Sequence, residues 1–568
     1  MLDFTKKLNK KTGEKMIQTS ITGKHLLALP QLNKGTAFSQ EERVAFGLLG
    51  KLPHRIETLE EQSERAYLQL EQYTTSLQKN IYLNNLHDKN HMVFYHVLRQ
   101  HLAELIPIIY TPTVGQAVQS FNREYRQPRG LYISHTYQDD LDIILKNRSN
   151  PDIDLIVVTD GEGVLGIGDQ GVGGMDIPVA KLMVYSACGG IDPNRTLPIF
   201  LDVGTNNDAL LDDPLYLGCK HNRIYDQEYD KFMDKFIKAI SKYFPHAFLH
   251  WEDFGRNNAR RILEKYQDKL CSFNDDIQGT GATTVAALLA AAKATGVPFI
   301  QNRFLVYGAG SAGTGISDQL VTALIHLGLS SQAAYKCFCL VDRQGLLMEN
   351  DPHLTEAQKP YARKKAELQQ WKMSASHLSL ADTVKAFHPT VLIGCSAQAG
   401  HFTKDIITTM ASYCERPIIF PLSNPDSKCE AKPVDLLTWT NGQALVATGT
   451  AFDMVHLKNK QFAIAQCNNA LIYPGIGLGI LAVQARRLSE DMLWAAAQAL
   501  SELSPIVEDH FLPLLPSLCQ AETVSKHVAM AVAQAAITGN LARKKPSHLE
   551  KAIDDLYWKP EYLPFVKD

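Results

Sequence analysis

Phe304-Leu305-Val306-Tyr307-Gly308-Ala309-Gly310-Ser311-Ala312-Gly313 runs four apolar residues into a glycine-spaced loop, and Ile316, Leu320 and Leu324 then recur at helical spacing. Strand, loop and helix in that order read as a dinucleotide-binding unit. The backbone amides of Gly308, Ala309, Gly310, Ser311, Ala312 and Gly313 are expected to meet a pyrophosphate at the helix N-terminus. The pattern alone carries little weight, because glycines also make ordinary turns; its context carries the reading. The next apolar run, residues 337–341, ends at Asp342, where a carboxylate accepts from both adenosine ribose hydroxyls and repels a 2′-phosphate. That favours NAD, while Arg343 next door and Lys359 downstream keep NADP open. Asp342 as a plain strand-end turn residue is the alternative.

Outward from this unit, apolar runs at 391–394, 417–420 and 444–447 alternate with helical segments, which predicts a doubly wound parallel sheet. Upstream, residues 155–160 and 197–202 are continuous apolar runs ending in aspartate, the pattern of buried parallel strands. Helical periodicity dominates 41–127 and returns after Gln466. The expected architecture is α/β: a doubly wound dinucleotide-binding domain plus a second α/β substrate domain, with helical sections at both ends. The divisions fall at 1–128 (helical, an assembly surface), 129–275 (substrate and metal), 276–465 (dinucleotide), 466–536 (helical return) and 537–568 (an arm that packs elsewhere).

The 568 residues carry 57 Lys and Arg against 60 Asp and Glu, so no basic excess attracts nucleic acid. Ten scattered cysteines without a Cys-x-x-Cys pair suit a reducing compartment. Lys6, Lys7, Lys10 and Lys11 precede no apolar segment, and the longest apolar stretch, 285–292, is too short for a bilayer. Cytoplasm, no membrane and no nucleic acid are the expectations.

Two acidic clusters, His250-Trp251-Glu252-Asp253-Phe254-Gly255 and Phe273-Asn274-Asp275-Asp276-Ile277-Gln278-Gly279-Thr280, bracket one helical stretch. Carboxylates of Glu252, Asp253 and Asp276 form an all-oxygen donor set for Mg²⁺ or Mn²⁺. A single acidic pair more often caps a helix; two pairs around one helix favour the metal. Lys181 sits among Ile177, Val179, Leu182, Met183 and Tyr185, where desolvation suits an amine to general-base work and snorkelling is the ordinary alternative. Tyr110 precedes Thr111-Pro112-Thr113-Val114-Gly115, as a proton donor in a cleft or as a core tyrosine. Asn424, Asn468 and Asn469 offer amides at element ends, for orienting a carboxylate or carboxamide or for capping.

As a set, residues 33–38, Tyr110 to Gly115, Gly161 to Lys181, Trp251 to Phe254, Phe273 to Thr280, Gly308 to Gly313 and Asn468-Asn469 closely resemble the malic enzymes over nearly the whole chain. The resemblance implies oxidative decarboxylation of L-malate to pyruvate and CO₂ with a nicotinamide cofactor and Mg²⁺ or Mn²⁺, in a homotetramer or homodimer. It implies Glu252, Asp253 and Asp276 as metal ligands, Lys181 as general base, Tyr110 as general acid, Asp275 beside the base and metal, and Asn424 and Asn469, with Asn468, at substrate or nicotinamide. One position departs. Most members place arginine after Asp-Gly-Glu to hold a substrate carboxylate, whereas this chain reads Asp160-Gly161-Glu162-Gly163, leaving Arg256 or Arg195 as candidate cations. Malolactic enzymes, relatives that retain NAD and form lactate, also carry that glycine, although they usually read Asp-Ala-Glu before it. Malolactic activity and a non-catalytic dinucleotide-binding protein are therefore the alternatives.

Overall fold

The computed structural model describes residues 4–8, 13–148, 150–164, 166–371, 378–509 and 511–568, with the side chains of 256, 369 and 370 left aside. The chain folds into two units: residues 1–255 together with 554–568, and residues 256–553.

In the first unit, strands Leu131–Ser134, Thr196–Asp202, Leu155–Thr159 and Phe248–Trp251 lie side by side in that order, all parallel. Leu155–Thr159 is buried at every position, as its unbroken apolar run requires when both faces are covered. Parallel pairing also sends every strand's C-terminal end, with Asp160, Asp202 and Glu252, to one edge. The helix Asp176–Gly189 lies on this sheet and is buried from Ile177 onward, including Lys181. Its C-cap, Gly190, has φ +60, and a Cβ there would sit 2.5 Å from the Tyr557 ring.

Residues 554–568 thus belong to this unit, whereas 537–553, the first part of the expected arm, belong to the second. Trp558 N–H donates to the Gly190 carbonyl at 2.6 Å, and Tyr557 Oη to that of Cys188 at 3.1 Å. Phe565–Lys567 runs parallel to Lys15–Thr19, which pairs antiparallel with Thr5–Leu8. The Phe565 ring meets Phe38 and Phe46 edge-on at 5.6 and 6.0 Å.

The helical front section includes Ser76–His87 and His91–Gln100, whose facing His87 and His91 rings stack at 4.3 Å. Burial pushes His87 down to about 4 against the pull of Asp88, and burial, with His87 and Arg129 adding to it, holds His91 well below 6.5. Both rings stay neutral when folded but titrate near 6.5 when unfolded, so their contribution is complete above 6.5 and is lost as pH falls toward 4. Thermal melts across that window are expected to drop steeply in the wild type and less in a His87→Gln/His91→Gln double variant.

In the second unit, seven strands follow the order Gly345–Leu346, Phe338–Asp342, Phe304–Tyr307, Val391–Gly394, Ile418–Pro421, Leu445–Thr448 and Ala465–Gln466. Only the two-residue edge strand Gly345–Leu346 is antiparallel, so the doubly wound parallel reading holds. The first strand of the series, Phe304–Tyr307, lies between the second and third, so the chain leaves it first to one side and then to the other. That reversal opens a crevice at the strand ends where dinucleotides bind in such sheets. The alanine-rich run forms the helix Thr280–Thr295, buried along nearly its whole length. Among the described residues, no helix is long and apolar enough to cross a membrane.

Candidate active site

In the first unit, the strand Phe248–Trp251 delivers Glu252 at its end, and the helix Asp176–Gly189 aims Lys181 at it. Lys181 Nζ lies 2.8 Å from Glu252 Oε1, and Tyr110 Oη donates to that same oxygen at 3.0 Å. The ammonium also lies 4.7 Å from the centroid of the Tyr110 ring, within cation–π range. Lys181 and Glu252 are each 1% exposed and Tyr110 is 6% exposed, so three groups distant in sequence share one desolvated point. Lys181 therefore does not snorkel, whereas Tyr110 is a buried tyrosine with a satisfied hydroxyl whose partner is a carboxylate.

The other oxygen, Glu252 Oε2, accepts from His250 Nε2 at 2.6 Å, and His250 Nδ1 accepts from Tyr185 Oη at 2.8 Å. Sequence reasoning missed His250 and Tyr185. Their spacing was the available signal: His250 is two residues before Glu252 on one strand face, and Tyr185 is one helical turn after Lys181. Burial pushes the Glu252 carboxyl up, but the Lys181 charge and the His250 hydrogen bond outweigh it and hold it below the usual carboxylate range. Asp253, 4% exposed, has φ +54, a left-handed conformation costing about 1–3 kcal/mol of the kind that clusters at functional sites. Adjacent buried carboxylates, one of them firmly ionised, fit a hard divalent cation.

Gly163 N–H donates to the Asp253 carbonyl at 2.9 Å, and a Cβ on Gly163 would stand 2.5 Å from the Phe254 carbonyl oxygen. The glycine is thus a packing requirement of this loop pair, and arginine does not fit without moving backbone. Gly163→Ala is expected to cost about 1–3 kcal/mol by overpacking, read as a lowered melting temperature. Of the two candidate replacement cations, Arg195 is corrected. It pairs with Asp154 at 2.7 Å, where the strand Thr196–Asp202 begins, at the opposite end from Asp202. The Arg256 side chain lies outside the described residues.

In the second unit, Asp275 and Asp276 open a π-helical turn, Asp275–Gly279, a form frequent at functional sites. Asn274 Oδ1 fixes it by accepting from Ile277 N–H at 3.0 Å. Asn469 Nδ2 donates to Asp275 Oδ2 and to Thr280 Oγ1, both at 3.0 Å, so Asp275 and Asn469 are brought together. Asn468 caps a short turn, accepting from Ala470 N–H at 2.9 Å, which is the capping alternative. Asn424 is exposed after the strand Ile418–Pro421.

The glycine loop follows Phe304–Tyr307, and the helix Ser311–His326 opens at its end. Gly308 has φ +100, and a Cβ there would lie 2.5 Å from the Cys395 carbonyl carbon; one on Gly313 would strike the Gly308 carbonyl. A Cβ on Gly310 would meet nothing within 4 Å, so the middle of the loop faces open space. Two glycines close the turn and the third leaves room for a ligand, which fits a pyrophosphate. Asp342 closes the next strand, and its carboxylate accepts from Arg343 N–H at 2.9 Å and lies 3.4 Å from Gln358 Nε2.

The malic enzyme N-terminal domain model matches residues 87–267, and the malic enzyme NAD binding domain model matches residues 277–537. NAD-dependent malic enzymes of Shewanella sp. strain ANA-3 and of Shewanella oneidensis are each 49% identical to this chain over 546 residues, covering 96% of it and 97% of the relative. Two solved malic enzymes share the fold: that of Entamoeba histolytica (TM-score 0.55, 21% identity, 90% of each chain) and that of Pyrococcus horikoshii (TM-score 0.53, 24% identity, 80% of this chain and 89% of that one). With both domain models matched in order along most of its length, and relatives of this identity, the chain belongs to the malic enzyme family.

Proposed function

We propose that this chain catalyses the oxidative decarboxylation of L-malate to pyruvate and CO₂ with reduction of NAD, assisted by Mg²⁺ or Mn²⁺. The observation that carries the reading is the convergence of Lys181 and Tyr110 on one oxygen of a buried, ionised Glu252. A base and an acid held on a common carboxylate suit a reaction that first removes a proton from oxygen and later returns one to carbon.

Glu252, Asp253 and Asp276 would hold the cation; Gly308, Ala309, Gly310, Ser311, Ala312, Gly313, Asp342 and Asn424 would hold NAD. When bound, NAD supplies a hydride acceptor and the cation a Lewis acid for the C2 oxygen. Lys181, the ammonium of the pair with Glu252, must first give up its proton; as a neutral amine its Nζ then takes the proton of the C2 hydroxyl. After CO₂ leaves, Tyr110 Oη delivers a proton to C3, and Lys181, which shares the Glu252 oxygen with it, returns its proton to the tyrosine. Asp275, held by Asn469, orients the residues around it, and Asn424, Asn468, Asn469 and Gly163 border the substrate. The proposed assembly is a homotetramer or homodimer built on the helical section 1–128, working in the cytoplasm, with NADP as the alternative cofactor.

The test is absorbance at 340 nm with purified protein, L-malate, either cofactor and Mn²⁺ or Mg²⁺, with pyruvate and lactate assayed in the same tubes. One reduced NAD per pyruvate, abolished by chelator, supports the reading. Lactate without accumulated NADH would replace it with malolactic chemistry, and NAD binding without product, indifferent to metal, with a non-catalytic role.

A further inference from the structure

Glu430 carries a carboxyl group with no part in the chemistry above, and it is fully buried in the second unit. Its Oε1 accepts three hydrogen bonds: from Ser396 N–H at 2.8 Å, from Ser396 Oγ at 2.8 Å and from Ser423 Oγ at 2.6 Å. Three donors on one oxygen are the signature of a carboxylate used purely as an acceptor, and such charge-assisted bonds are the strong ones. Ser423 Oγ in turn accepts from Ala397 N–H at 2.8 Å, and Ser396 Oγ from Gln398 N–H at 3.1 Å.

These donors come from two different loops. Ser396 to Gln398 follow the strand Val391–Gly394, and Ser423 follows Ile418–Pro421, immediately before Asn424. Both loops leave the C-terminal ends of neighbouring parallel strands, the first of which pairs with Phe304–Tyr307 at the reversal. The first also meets the glycine loop, because Gly308 approaches the Cys395 carbonyl so closely that a Cβ would stand 2.5 Å from its carbon. Behind it, a Cβ on Gly394 would stand 2.5 Å from Glu430 Cδ, so the carboxyl group is seated against that strand end. Ala397 is held at φ +55, a conformation an alanine keeps only when its surroundings impose it.

We infer that Glu430 is a positioning residue for the dinucleotide: its carboxylate clasps the loops after Val391–Gly394 and Ile418–Pro421, and so sets the wall of the crevice opposite the glycine loop and the place of Asn424. The inference rests on the reading of that crevice as the NAD site. Glu430 itself touches no reacting atom. What the clasp requires is an acceptor at Oε1, since all three bonds end there. Glutamine keeps that acceptor and alanine removes it.

The experiment measures NAD affinity by intrinsic-fluorescence titration without malate, the KM values for malate and Mn²⁺, and thermal melting, for wild type, Glu430→Gln, Glu430→Ala and Ser423→Ala. Glu430→Ala is expected to weaken NAD roughly tenfold or more, Ser423→Ala roughly threefold, and Glu430→Gln by less than Ser423→Ala. The Mn²⁺ KM is expected to hold. Should Glu430→Ala fail to fold, Ser423→Ala and a Ser396→Ala/Ser423→Ala double variant carry the test. Unchanged NAD affinity in the folded variants, or NAD, malate and Mn²⁺ constants rising together with a fall in melting temperature, would overturn the clasp. Failure of the wild type to bind NAD would instead remove the reading beneath it.

Discussion

Lys181→Met is expected to lower kcat by roughly 10³–10⁴-fold, the upper range for loss of a positioned general base. Methionine keeps the volume of the buried stem, so the helix Asp176–Gly189 and its packing are preserved while the amine is lost. The same change leaves Glu252 buried without its principal counter-charge. Breaking a buried ion pair by removing one partner costs about 3–5 kcal/mol, so the melting temperature is expected to fall as well. A bound divalent cation replaces the missing positive charge, so Mn²⁺ should raise the variant's melting temperature more than the wild type's. Single-turnover kinetics and calorimetry read the two effects separately. A variant that folds, binds Mn²⁺ and still turns over within tenfold of wild type would show that the base is another group.

Tyr110→Phe is expected to reduce kcat by roughly 10²–10³-fold while leaving the KM for malate within a few-fold. The ring is packed at 6% exposure and the change removes only Oη, so folding and the Lys181–Glu252 pair are left in place. Loss confined to kcat is the mark of an interaction made in the transition state. The second readout is exchange: wild-type protein in deuterium oxide should place solvent deuterium at C3 of pyruvate, and the variant should do so far more slowly. An unchanged kcat takes Tyr110 out of the mechanism.

Why some of this was legible in the chain and some was not comes down to range. Strands 155–159, 304–307 and 391–394 were readable because a strand buried on both faces is apolar at every position, a local property. Leu131–Ser134 escaped because it is a four-residue edge strand, and Lys15–Thr19 because Lys15 and Gln18 interrupt a strand stabilised by a partner more than five hundred residues away. The strand, glycine loop and helix from Phe304 on, and the strand end at Asp342, were local features. Lys181, Glu252 and Tyr110 were named singly, with Tyr110 resting most on resemblance, but their meeting at one oxygen is a tertiary fact with no local trace. Glu430 shows the limit most plainly. In the stretch Lys428-Cys429-Glu430-Ala431-Lys432 it looks like a solvated charge, and only the fold brings two serines from other loops to it.

The weaving of residues 554–568 into the first unit also governs the order of manufacture. A ribosome completes residues 1–255 long before it releases the strand Phe565–Lys567 and the Tyr557 ring that seats on Gly190. Throughout synthesis of the second unit, the first therefore waits with the edge of Lys15–Thr19 unpaired and its Phe38 and Phe46 cluster short of Phe565. Domains of nascent chains ordinarily finish in sequence from the N-terminus. Here the earlier unit finishes last, so a ribosome stalled anywhere within residues 256–553 presents an incomplete sheet edge, and such edges are where chaperones bind and aggregation begins.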